Sequence, residues 1–98
     1  MAATYGVIHR FQGGTEEQYR KALEVVHRDG GSTLPVGQTI HAAGSTDDGW
    51  IVLALFESKA AWETFRDETL LPGLGSVDGG FEGPPVEVAF EVVNLQSA

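Results

Sequence analysis

The order of apolar and polar positions divides the chain into two successive strand–helix–strand runs. Tyr5 to Phe11 alternates, with Tyr5, Val7, His9 and Phe11 on one side, the period-two pattern of a strand. Gly13-Gly14 breaks it. Thr15 followed by Gln18 is a capping box, which satisfies two orphan N–H groups at a helix start. Tyr19, Ala22, Leu23 and Val26 then recur at i, i+3, i+4 and i+7 as one apolar stripe. On the outer surface Glu16–Arg20, Glu17–Lys21 and Glu24–Arg28 have the favoured acid-first i,i+4 order, and Asp29-Gly30-Gly31 is expected to end the helix. After a connection containing Pro35, a second strand runs from about Gln38 to Gly44 with Thr39, His41 and Ala43 on one side. Asp48-Gly49 is a strong hairpin signal, and Trp50 to Glu57 follows as a strand that is apolar on both faces. Ser58 caps a second helix that reaches about Leu71, carries the inner stripe Ala61, Trp62, Phe65 and Thr69, and is stopped by Pro72 and Gly73. The glycine-rich stretch from Gly73 to Pro85 is long for a compact domain, so it is either a covering lid or a partner contact. In the last strand Val86, Val88, Phe90 and Val92 alternate with Glu87, Ala89 and Glu91.

Short connections and right-handed crossovers fold a βαββαβ order into a ferredoxin-like α+β domain. Its four-stranded antiparallel sheet has the order 4-1-3-2, with two helices on one face. Strand three lies in the middle, with Trp50, Val52, Ala54 and Phe56 on one side and Ile51, Leu53 and Leu55 on the other. Two helices cover only one of these sides. Leaving the second in water costs about 25 cal/mol per Å², several kcal/mol in sum and comparable to the stability of a whole small domain. The residues after Asn94 are only Leu-Gln-Ser-Ala, and the long loop is rich in glycine, so neither is expected to cover a sheet. The expectation is a homodimer packed through the sheet face.

Composition narrows the function classes. The 98 residues suit one domain spanning 1–98. Without cysteine there are no disulfides and no thiolate chemistry. The longest apolar stretch, Trp50 to Phe56, is too short to cross a bilayer, and Met1 to Tyr5 lacks the basic-then-apolar pattern of a signal peptide; a cytoplasmic location is expected. The formal charge of −8, with six Lys and Arg, provides no cationic cluster to displace phosphate counterions or to hold an anionic lipid surface. Nucleic acid and membrane are therefore not expected as partners, and the acidity is read as solubility.

The apolar strand Trp50 to Phe56, running into Glu57-Ser58-Lys59 and then Ala61-Trp62 and Phe65, resembles a strand-into-helix signature of the dimeric α/β-barrel superfamily. Within it the pattern is similar to the antibiotic-biosynthesis-monooxygenase-like branch, and the resemblance extends over nearly the whole chain in element order. It implies a dimeric α/β barrel. It also implies one of the branch's activities, which include cofactor-free oxygenation of aromatic polyketides and haem degradation. The haem degraders resemble one another in an asparagine on strand one, a tryptophan on helix two and a histidine shortly beyond it. This chain carries Val7, Phe65 and Leu74 or Gly75 at those positions. Haem degradation is therefore not expected, and no cofactor is.

His9 and His41 are the polar residues of most interest on the strands. With strand three between them their backbones lie roughly 10 Å apart, too far for a shared metal with bonds of about 2 Å. They suit opposite walls of a pocket, where either moves a proton near neutral pH; the competing reading is a hydrogen-bonded structural histidine. His27, near the end of helix one, is expected at the surface, where a cation complements the helix dipole. Trp62, Phe65, Phe56, Trp50 and Tyr5 offer aromatic walls to a flat apolar or aromatic ligand, or simply fill the core. Glu87 and Glu91 are expected to protect an edge strand. Asp47-Asp48 is turn chemistry, and no metal site is expected. The pattern thus points to a small-molecule-binding dimer, either a cofactor-independent monooxygenase-like enzyme using His41 or His9, or a non-catalytic binding or structural dimer.

Overall fold

Gly49 makes the tightest backbone approach in the sheet. A Cβ there would run into the Phe11 carbonyl and lie 2.7 Å from the Gly13 nitrogen, so only glycine lets the β2–β3 hairpin close against the end of β1. The computed structural model describes residues 4–98; Met1–Ala3, on which the expectation about a signal peptide partly rests, lie outside them. The strands are β1 (Tyr5–Gln12), β2 (Gln38–Thr46), β3 (Gly49–Phe56) and β4 (Val86–Glu91). They form one sheet in the order β2-β3-β1-β4, and β1 pairs antiparallel with both β3 and β4. This is the ferredoxin-like α+β arrangement expected from the pattern, the order 4-1-3-2 read from the other edge.

Helix α1 (Glu16–Val26) starts in the capping box, with Thr15 accepting from the Gln18 N–H and the Gln18 side chain accepting from Thr15. Of the three surface pairs, Glu16–Arg20 forms at 3.2 Å. Arg28 instead turns to the Leu34 carbonyl through Nε at 2.9 Å and Nη2 at 2.6 Å. The helix stops earlier than Asp29-Gly30-Gly31, which forms a separate 3-10 turn. Its C-cap is His27, in extended conformation.

Ser58 caps α2 (Lys59–Phe65) by accepting from the Ala61 N–H at 3.0 Å. The helix does not stop at Pro72. It widens into a π-helical turn over Arg66–Leu70, where the Leu71 N–H reaches back to the Arg66 carbonyl, and continues as α3 (Leu71–Leu74). Pro72 has no N–H to return to the preceding turn, which is the physical reason the ladder loosens there. Gly73 is buried where α3 crosses α1, and a Cβ would lie 2.9 Å from Val26 Cγ1.

The core lies between helices and sheet. Val7 and Phe56 are completely enclosed, and Val26, Ala54, Trp62 and Phe65 join them in one cluster. The register assigns the opposite face of the sheet to Ile8 and Arg10 of β1, Ile40 of β2, Ile51 and Leu53 of β3, and Val86, Val88 and Phe90 of β4. No described helix covers it, and Val86, Val88 and Phe90 are 66%, 49% and 39% exposed. Among the described residues no helix is long and apolar enough to cross a membrane.

Replacing Gly49 with alanine forces the β1 and β3 backbones apart. The expected cost is about 1–3 kcal/mol, seen as a lower urea midpoint with an unchanged slope.

Candidate functional site

The helical layer does not close completely on the sheet. Between them lies a cavity of about 360 Å³, floored by Val7, His9, Val52, Ala54 and Phe56 and roofed by α1 and α2. The apolar stripe of α1, Tyr19, Ala22, Leu23 and Val26, forms one side of the roof. Trp62, Phe65 and the residues around the π-helical turn form the other. The segment 75–85 covers the mouth. Phe81 stacks on Phe11, with ring centroids 3.7 Å apart and planes within 9°, and wedges against Gly14, where a Cβ would be 3.0 Å from its ring. Phe81, Pro84 and Pro85 of this segment line the cavity, the contact expected of a covering lid.

All three histidines of the chain line the cavity. His9 sits under Trp62, ring centroids 5.7 Å apart, and its Nε2 donates to Glu87 Oε1 at 2.8 Å. The contact follows from register: His9 opposes Glu87 across β1 and β4. The edge charge at Glu87 therefore reaches into the cavity instead of only guarding the strand. Glu91, further along β4 on the same side, lies outside the cavity wall.

His41 is held at both ring nitrogens. Its Nδ1 lies 2.8 Å from Gln38 Oε1, so the proton sits on Nδ1, and Tyr19 Oη donates to Nε2 at 2.6 Å. Burial lowers the His41 pKa and raises that of Tyr19. His9 opposes Val52 and His41 opposes Ala54, so two strand spacings and a two-residue offset separate their backbones by roughly 12 Å.

His27 is not at the surface. The extended C-cap swings its side chain inward, the Arg28 clamp on Leu34 pins the following turn, and the residue is 8% exposed. Its ring packs edge-on against His41, centroids 4.6 Å apart. Burial first, and the neighbouring His41 second, lower its pKa to about 4. A helix-end cation is therefore the wrong picture, because at neutral pH the ring is neutral.

Trp62, Phe65 and Phe56 all line the cavity, whereas Trp50 and Tyr5 do not. Trp50 is buried behind Tyr19, ring centroids 5.3 Å apart, with its Nε1 unpartnered; Tyr5 packs on the core cluster. Arg66 reaches the cavity from the π-helical turn, but its guanidinium is engaged by Asp67 at 2.8 and 3.2 Å. Among the described residues no group of three or more His, Cys, Asp or Glu is placed to hold a metal ion.

Sequence reasoning passed over His27, Glu87, Tyr19 and Gln38. Alternation sets Glu87 on the side of β4 opposite Val86 and Val88, and Tyr19 brings a hydroxyl into an otherwise apolar stripe. Nothing local marks His27 or Gln38.

Fold and site together define a ferredoxin-like α+β protein with an internal, largely apolar cavity. The chain is similar to the solved structure titled "Structure of Rv0793 from Mycobacterium tuberculosis", at 18% identity and a TM-score of 0.67, over 97% of this chain and all of that one. At that identity the likeness speaks for the fold alone. No protein-family model and no curated protein matches the chain.

The buried neutral histidines make stability depend on pH. The folded pKa of His27 lies below that of the unfolded chain, so between about pH 6.5 and pH 4 the unfolded state binds more protons. Stability is full above that window and falls as pH drops through it. The thermal midpoint should decline over this range, and His27→Leu should flatten the decline.

Proposed function

We propose that the protein is a homodimeric, small-molecule-binding member of the antibiotic-biosynthesis-monooxygenase-like branch of the dimeric α/β barrels. Each subunit takes a flat, largely apolar or aromatic compound between its helices and its sheet. The observation that carries this reading is the cavity itself. Its volume of about 360 Å³ falls at the lower end of small-molecule sites. Its walls are mostly aliphatic and aromatic, with Trp62, Phe65 and Phe56 offering ring faces and a few polar groups gathered at two ends. A core that merely filled its own volume would leave no such space.

The dimer rests on the uncovered sheet face. Four strands at about 4.8 Å spacing, six to nine residues long at about 3.3 Å each, present an apolar surface roughly 20 Å on a side. A second copy, offering the same residues, is the partner that matches it in shape and chemistry and removes it from water.

The His9–Glu87 pair favours an enzymatic variant of the reading. There an electron-rich aromatic substrate gives up a proton and reacts with dioxygen directly, without a cofactor. His9 suits that role better than His41, both of whose nitrogens are engaged within the protein. The rival is a non-catalytic binding dimer with the same cavity.

Light scattering is expected to give a mass near twice 10.5 kDa. Val88→Glu, which places a charge in the apolar face, is expected to shift it to the single-chain value; a wild-type single-chain mass at micromolar concentration rules out the dimer. For the cavity, 1-naphthol should quench tryptophan fluorescence saturably. Filling the space with Val52→Phe should weaken that binding about tenfold or more, equivalent to about 1.4 kcal/mol, and leave the dimer mass unchanged. Equal affinity in both proteins places the ligand elsewhere.

A further inference from the structure

We propose that the cavity enolises a flat, neutral, apolar ketone by non-oxidative proton transfer, with His9 as the base, Glu87 as the residue that positions it and His27 as the donor to the carbonyl oxygen. The proposal rests on the reading of the cavity as a small-molecule site and adds a reaction to it.

The two imidazoles are complementary. His9 donates Nε2–H to Glu87, which leaves its lone pair on Nδ1, and Nδ1 has no partner among the described residues. The atom is not sealed in the protein either, since Trp50 Nε1 alone is both buried and unpartnered among them. A carboxylate on one imidazole nitrogen fixes the tautomer and stabilises the imidazolium that forms when the other nitrogen takes a proton. His9 is thus prepared to accept.

His27 is prepared to donate. Neither of its nitrogens is bonded to a described residue, and neither is sealed, although the ring lies inside the cavity wall. Its neighbour His41 is committed to Tyr19 and Gln38. Kept neutral by its surroundings, His27 offers one N–H. A neutral imidazole can hydrogen-bond a carbonyl oxygen that gains charge without surrendering its own proton, as an imidazolium would.

The step balances without an oxidant. The C–H bond next to the carbonyl breaks and its proton goes to His9 Nδ1. Its electron pair becomes the C=C bond while the carbonyl π pair moves onto oxygen, where the charge accepts the His27 hydrogen bond. Return of the proton from His9 to carbon restores the ketone, and its return to oxygen gives the enol; either regenerates the base. The roughly 12 Å between the His9 and His41 backbones, with His27 packed on His41, leaves room for one ring system whose acidic carbon and oxygen face opposite walls. Glu87 lines the same cavity and brings its carboxylate to His9, so a carboxylate ligand meets a like charge there. The site therefore prefers neutral ketones to acids.

The test uses 2-tetralone and the full chain in D₂O, under nitrogen and under air, with loss of the C1 protons followed by NMR and binding followed by tryptophan quenching. The wild type should exchange these protons at least about 100-fold faster than buffer, equally with and without air. His9→Ala should return the rate to that of buffer, and His27→Phe should lower it at least tenfold while 2-tetralone still binds. Glu87→Gln should lower the exchange rate several-fold while the affinity for 2-tetralone stays as in the wild type, the split between rate and binding expected of a residue that positions the base. Glu91→Gln, outside the cavity, should behave as wild type. Should His9→Ala fail to fold, His9→Gln, which keeps a polar side chain of similar reach, carries the test and should likewise return the rate to that of buffer. Wild-type exchange at the buffer rate, exchange that requires air, or a His9→Ala rate equal to wild type overturns the proposal. Saturable quenching without exchange overturns only the enolisation. Absence of both binding and exchange counts against the cavity reading as well.

Discussion

The third strand of this protein is apolar on both sides, and most of the architecture answers to that. Strand β3 lies between β1 and β2, so neither of its faces can turn to a sheet edge. The helices cover Trp50, Ala54 and Phe56 and convert one face into the core. On the other face, Ile51 and Leu53 extend into a surface with Ile8, Ile40, Val86 and Val88 that no described helix reaches. Burial of apolar area is the largest favourable term in folding, and a small domain has little stability in reserve. The uncovered face is therefore a demand for a partner, which the proposed dimer meets.

The same division of faces creates the cavity. Helix α1 ends at Val26, and α2 opens into a π-helical turn ahead of Pro72, so the roof is held away from the floor. Gly73 lets α3 approach α1 closely at one end, while the Phe11–Phe81 stack draws the covering loop over the other. The space left between carries its polar groups at the ends. Apolar walls make each of those hydrogen bonds stronger than it would be in water and penalise any left unmade. The paired arrangements of His9 with Glu87 and of His41 with Tyr19 and Gln38 are the consequence.

Charge in the cavity is tightly controlled. Burial keeps His27 and His41 neutral, Asp67 occupies Arg66, and Glu87 is satisfied by His9. A site built in this way discriminates by shape and by single hydrogen bonds more than by net charge, even though the chain as a whole is strongly acidic.

Much of this was legible in the sequence. Period-two and period-3.6 patterns, the Thr15 capping box, the Ser58 cap and the hairpin glycine specify local structure through forces that act within a few residues, and with the rules of chain crossover they determine strand order. They also group His9 with Val7 and Phe11 on one side of β1 and set Trp62 and Phe65 on one stripe of the second helix, but which side of the sheet the helices cover came only with the structure. What only the tertiary structure decided is how residues distant in sequence meet. Glu87 finds His9 across 78 positions because β4 adds to β1 in one register. Trp50 falls behind Tyr19 and outside the cavity because of how α1 lies on the sheet. His27, which resembles any polar residue at a helix end, becomes a buried neutral ring because its backbone leaves the helix extended and Arg28 fastens the turn beyond it. Local preference is written one residue at a time, whereas a cavity is what remains after all the elements have packed.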